Sequence, residues 1–259
     1  MGATKSAARA VRRVWQQVAE GVYRIDRAHV NCYLVVTPDG MTLVDAGLPD
    51  SFSGLRVVLA SFGAKPSDID AVVLTHGHFD HVGMSSRLTH EHHVPHFVHD
   101  EDRKLARHPY RYDHEAPRAG YLLRYPKAIP VIAGMATAGA LSVRGIEAAG
   151  ALHPDQPMDV PGRLVPVWSP GHTYGHCGFT LPGSGILFAG DALVTLDPYT
   201  GETGPRIVAK AATADSERAL ASLDALEATG ARTVLPGHGE PWQQGIALAV
   251  SAARAVGAE

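Results

Sequence analysis

Thr75-His76-Gly77-His78-Phe79-Asp80-His81 follows directly on Ala71-Val-Val-Leu74, and the reading of the whole chain turns on that junction. The apolar tetrapeptide has no solvated face, which places it centrally in a sheet. Beyond it, four side chains of metal-ligand type fall within six residues. On an extended or turning backbone His76 and His78, at i and i+2, face one point. Asp80 and His81 reach the other side of that point as the chain turns. Neutral imidazole with carboxylate suits a borderline cation such as Zn²⁺, and also Fe or Mn. Any one histidine at a strand end can simply cap a turn; the heptapeptide as a unit reads as a metal site.

The same placement recurs three times. His172 follows Leu164–Trp168 in Ser169-Pro-Gly-His-Thr-Tyr-Gly-His176, and Asp191 follows Ile186–Phe188 in Ala189-Gly-Asp-Ala192. His238 follows Thr233–Leu235 in Leu235-Pro-Gly-His-Gly-Glu240. Ligands in open α/β sheets gather at such strand ends, and the adjoining glycines let backbone approach an ion closely.

Around these motifs the chain alternates strands and helices. Gly21–Ile25, Asn31–Val36 and Met41–Val44 read as strands, with Thr37-Pro-Asp-Gly40 as a turn. Phe52, Leu55, Val58, Leu59 and Phe62 recur at helical spacing until Gly63. Strand character returns at 164–168, 178–181, 185–188 and 232–235. Asp215–Leu226 is an N-capped amphipathic helix with Leu220, Leu223 and Leu226 on one face, and Ile246–Val256 is a second helix. Residues 101–150, broken by Pro126 and Pro130, read as short helices inserted between two halves and covering a site. His90, His92, His93, His96 and His99 read as surface or helix-face residues.

Composition narrows the functional classes. The 259 residues carry 23 Lys+Arg against 26 Asp+Glu, a net charge of -3, which gives no electrostatic footprint for nucleic acid. No apolar run is long enough to span a bilayer, and the basic start, Met1–Trp15, lacks a signal-peptide core. Two cysteines, Cys32 and Cys177, fit a reducing compartment. The expectation is a soluble cytoplasmic protein, one domain over 1–259, acting on a small molecule, with neither nucleic acid nor membrane as partner. Histidine, at 15 residues, is the one abnormal count.

This motif set resembles the metallo-β-lactamase superfamily, whose Thr-His-x-His-x-Asp-His signature is matched without substitution at 75–81. The later His, Asp and His elements match at His172, Asp191 and His238, so the resemblance covers roughly 20 to 240. It implies an α/β fold, a four-layered αββα sandwich with the helical insertion. It also implies a binuclear site: His76, His78 and His172 on one ion, Asp80, His81 and His238 on the other, and Asp191 bridging both. The two divalent ions would be Zn, with Fe or Mn as alternatives. Asp45, in Asp45-Ala-Gly47, matches the family's supporting aspartate, or is a turn residue bonding its own backbone.

The activity implied is hydrolysis of an ester, lactone or thioester. On that reading the ions would supply a hydroxide to attack the carbonyl, and Asp80 would hold the nucleophile and pass a proton to the leaving group. Departures matter too. Asp191 stands where the main β-lactamases carry cysteine, and 191–201 lacks the Gly-Cys-Gly-Arg type loop of glyoxalase II-like enzymes and its relative in persulfide dioxygenases. Val194 occupies the position where lactonases of this fold often place tyrosine. Tyr199 takes a similar carbonyl-polarising role from further along the loop, or is a plain loop tyrosine. His176 reads as a residue that supports the site rather than a ligand. Two other readings stay open: a mononuclear iron oxidoreductase on His76, His172 and Asp191, and a non-catalytic metal-binding protein.

Overall fold

A computed structural model describes residues 15–118, 120–148 and 150–259; most of the basic start, residues 1–14, lies outside them. The chain opens with an antiparallel meander: β1 (Trp15–Ala19), β2 (Val22–Arg27), β3 (Val30–Thr37) and β4 (Gly40–Val44). Helix α1 (Ser51–Ala60) then carries it over to β5 (Ala71–Val73), parallel to β4. Helix α2 (Ser85–His92) leads to β6 (His96–Val98), parallel to β5. The inserted segment holds α3 (Arg103–Arg107), α4 (Tyr121–Arg124) and α5 (Ile129–Met135). It returns through β7 (Gly150–Ala151), which completes a seven-stranded sheet in the order β1 to β7.

The second half builds β8 (Val165–Trp168), β9 (Cys177–Leu181), β10 (Ile186–Gly190), β11 (Val194–Leu196) and β12 (Thr203–Arg206). Helix α6 (Ser216–Glu227), β13 (Thr233–Pro236) and α7 (Ile246–Val256) follow. Its four-stranded sheet runs β13-β10-β9-β8, with β13 parallel to β10, while β11 and β12 form a separate ribbon. Asp215 caps α6 by accepting the Arg218 amide at 2.8 Å, which satisfies one of the four unpaired donors at a helix start.

Three apolar clusters define the layers. Between the sheets lie Tyr33, Val35, Val44 and Val73 from one and Phe179, Phe188 and Leu235 from the other. On the far face of the first sheet, Leu34, Leu43 and Val72 meet Leu55, Val58 and Leu59 of α1 and Leu88 of α2. On the far face of the second, Leu187 and Val234 meet Leu223 and Leu226 of α6 and Val250 of α7. Helix, sheet, sheet, helix: the expected four-layered αββα arrangement is present.

Some elements differ from expectation. Helix α1 stops at Ala60, so Phe62 lies beyond it, edge-on to Tyr23 at 5.0 Å. His96 is not a surface residue: at 1% exposure it lies in β6, paired with Val72. Strands β1 and β6 and the β11–β12 ribbon carry too little apolar alternation to stand out. Each is held by its neighbours instead.

Candidate metal centre

The seven side chains singled out by the sequence all reach one cleft at the ends of β5, β8, β10 and β13. Ligand atoms of His76, His78 and His172 lie within 4.8 Å of one another, as do those of His76, His81 and Asp191, and those of Asp80, His81 and His238. All seven residues are buried. His172 Nε2 stands 3.0 Å from His78 Nδ1 and 3.5 Å from Asp191 Oδ2. His238 Nε2 stands 3.3 Å from Asp191 Oδ2 and 3.4 Å from Asp80 Oδ2, and His81 Nε2 is 3.4 Å from Asp191 Oδ1. Ligands about 2.0–2.1 Å from a tetrahedral ion are themselves about 3.3 Å apart, so these separations fit ions at the focus of each group. Asp191 faces both sides of the cleft.

The orphaned atoms make the same point. His76 Nε2, His81 Nε2, His238 Nε2 and Asp191 Oδ1 are buried without a hydrogen-bond partner, a costly state unless another group satisfies them. Gly237 keeps the space open, since a Cβ there would lie 2.1 Å from Asp191 Oδ1.

The opposite ring nitrogens are tied down. His81 Nδ1 donates to Asp45 Oδ2 at 2.9 Å, and His238 Nδ1 donates to the His29 carbonyl at 2.9 Å. His76 Nδ1 donates to Thr75 Oγ1 at 3.0 Å, and that hydroxyl in turn donates to Asp45. Each proton on Nδ1 leaves an Nε2 lone pair for a cation. Asp45 also accepts the Thr75 amide at 2.7 Å and sits at φ 59°. It therefore supports the ligands rather than bonding its own turn.

His176 supports from another side. Its Nε2 accepts the amides of Asp191 (3.0 Å) and Ala192 (3.2 Å), and its Nδ1 donates to Ser169 Oγ (2.9 Å). Burial pushes it down to about 3, so it stays neutral and fixes the loop that carries Asp191.

Charge divides the cleft. Burial, reinforced by neighbouring imidazoles, holds His76 and His78 well below the usual histidine range, and burial brings His172 to about 4. On the other side burial also opposes charge, but Asp191 and Asp80 outweigh it and push His238 up to about 10. Asp191 and Asp45 likewise raise His81. One side excludes protons, and the other binds positive charge strongly.

Sequence reasoning missed several supports. Asp102, at the start of the insertion, accepts the amides of Gly77 and Gly175 at 2.9 Å each and the Thr173 hydroxyl at 2.8 Å. It clamps the two loops that bear His76, His78 and His172. The His29 carbonyl comes from the tight β2–β3 turn, where Ala28 and His29 both have positive φ. An isolated Asp or a backbone carbonyl leaves no motif in a sequence.

A cavity of about 220 Å³ opens from the centre. His78, Asp80, His172, Asp191 and His238 form its floor, and the insertion and the 191–201 loop supply its walls. Tyr199 lines it, and its hydroxyl lies 2.9 Å from that of Tyr112.

Comparison with known proteins agrees with this geometry. The sequence profile of the Metallo-beta-lactamase superfamily matches residues 25–238. This chain belongs to the metallo-β-lactamase superfamily. Within the superfamily it is 26% identical over 240 residues to the probable metallo-hydrolase YflN of Bacillus subtilis, covering 87% of this chain and 86% of that one. It is 26% identical to the N-acyl homoserine lactonase AttM of Rhizobium johnstonii, covering 80% of each chain. The metallo-β-lactamase family protein TTHA1429 of Thermus thermophilus superposes with a TM-score of 0.65 at 26% identity, covering 91% of this chain and 78% of that one. Among the described residues no helix is long and apolar enough to cross a membrane.

Proposed function

We propose that this metallo-β-lactamase superfamily member is a binuclear metal-dependent hydrolase of a small-molecule ester, lactone or thioester. The observation that carries the reading is the pair of ligand groups joined across Asp191, with Nε2 lone pairs left unpartnered by an outer ring of hydrogen bonds. Two divalent ions held there would supply ionised water at neutral pH and polarise a carbonyl.

The chain's own residues do the rest. His76, His78 and His172 would hold one ion, and Asp80, His81 and His238 the other, with Asp191 between. Asp80 is at the cavity floor, where its carboxylate can take a proton from water and return it to the leaving group. Burial raises Tyr112 and lifts Tyr199 well above the usual phenol range, so both hydroxyls keep their protons. In the Tyr112–Tyr199 pair one hydroxyl donates to the other, and the acceptor's own proton is left for a substrate oxygen. That gives Tyr199 the carbonyl-orienting role, shared with Tyr112. The likeness to a lactonase puts lactones first among trial substrates.

Elemental analysis of protein purified without added metal or a histidine tag tests the reading. About two equivalents of zinc or manganese per chain are expected, with turnover in an ester, lactone and thioester screen. One equivalent of iron with no hydrolysis overturns it in favour of the oxidoreductase. Asp80→Asn is expected to keep the fold and lose most turnover; retention of activity within a few-fold of wild type removes Asp80 from the mechanism.

A further inference from the structure

The cavity above the centre is apolar on most of its walls, with Phe79, Ile132, Met135 and Leu141 prominent. At their rim, Arg118 is the one lysine or arginine among the described lining residues. Arg118 is exposed at the cavity rim but held there by two contacts. Its guanidinium lies over the Tyr112 ring, 4.1 Å from the centroid, and its Nε donates to the Ala211 carbonyl at 3.1 Å. Those two contacts fix the plane of the fork and leave both Nη groups without an acceptor among the described residues. No carboxylate among the described residues neutralises it.

Tyr112 in turn packs on the ring of His78, centroid to centroid 4.1 Å. The stack places the guanidinium no more than about 8 Å from that ring, within reach of a substrate whose carbonyl lies on the cavity floor. A planar fork with its orientation already fixed recognises a carboxylate with two parallel hydrogen bonds at little entropic cost. One guanidinium on otherwise apolar walls pairs with one carboxylate, while the carbonyl lies over the floor.

We propose that the substrate is an apolar carbonyl compound bearing a carboxylate a few bonds from the scissile bond, with Arg118 as the residue that binds this carboxylate. The inference rests on the hydrolytic reading and narrows it to one substrate class.

The test uses the metal-loaded enzyme and two esters alike except for charge, 4-nitrophenyl hydrogen adipate and 4-nitrophenyl methyl adipate. Wild type is expected to favour the charged ester by about tenfold in kcat/KM, through KM. Arg118→Met should erase that preference, and Arg118→Lys should restore part of it. Equal use of both esters by wild type overturns the proposal, as does loss of activity toward both in the same proportion in Arg118→Met. If neither ester is cleaved, the hydrolytic reading fails instead. Calorimetric titration of the same uncleaved esters then decides the carboxylate site, with weaker binding of the charged ester to Arg118→Met expected and equal binding overturning it.

Discussion

Asp45 has three donors on one carboxylate: the Thr75 amide, the Thr75 hydroxyl and His81 Nδ1. Asn tolerates the left-handed backbone at this position better than most residues, so Asp45→Asn isolates the lost charge from backbone strain. Its amide would face groups that need an acceptor, and His81 would turn its lone pair away from the cleft. The expected result is a native circular dichroism spectrum with metal affinity lowered about 10- to 100-fold, read by competition with a chromogenic chelator. His96 gives a second residue-scale prediction. Burial outweighs its hydrogen bond to the Val94 carbonyl at 3.0 Å and brings it to about 4, against about 6.5 when unfolded. A histidine lowered in the folded state favours folding above the unfolded value, and that contribution is lost as pH falls from about 6.5 to about 4. It amounts to roughly 3 kcal/mol at most. Urea unfolding of His96→Leu should therefore lose less stability than wild type between pH 7 and pH 4.5; parallel losses would remove His96 from the acid response.

Among the elements, the insertion has two jobs where the sequence suggested one. Its first turn belongs to the centre: Asp102 clamps the ligand loops, and α3 packs so closely on Gly77 that a Cβ there would lie 2.6 Å from the Ala106 nitrogen. Its later part, from α5 onward, belongs to the cavity, with Ile132, Met135 and Leu141 in the walls. Excision of 120–141 is thus expected to retain metal and broaden or lose selectivity among apolar acyl chains, whereas Asp102→Ala is expected to lose metal. Metal analysis beside a chain-length series of esters checks both, and loss of metal from the excision variant contradicts the division. The difference shows what was legible. His76, His78, Asp80 and His81 announce themselves because several ligand types crowd one strand end, and the strands before His172, Asp191 and His238 repeat the pattern. Asp102 and His96 do not, because burial and long-range partners give them their roles, and neither leaves a periodic trace in the chain.

At the scale of the molecule, none of the three large apolar clusters includes a proposed ligand. The outer ring of hydrogen bonds is likewise closed within the protein: Asp45 to His81, His29 to His238, Asp102 to Gly77 and Gly175. The sandwich therefore has the means to stay folded when ions leave, with the penalty confined to the orphaned atoms of the cleft. His81 and His238, both raised by nearby carboxylates, take up protons in place of cations and lessen that penalty at neutral pH. Bound ions at about a thousand times their dissociation constant add roughly 4 kcal/mol, and in a chain of this size each kcal/mol moves Tm by about 2–4 °C. Chelation with dipicolinate should accordingly lower Tm by about 10 °C while leaving the far-ultraviolet spectrum intact, and restoring the metal should reverse the shift. Unfolding on chelation would mean that the ions hold the two sheets together, and an unchanged Tm would mean that the cleft binds none.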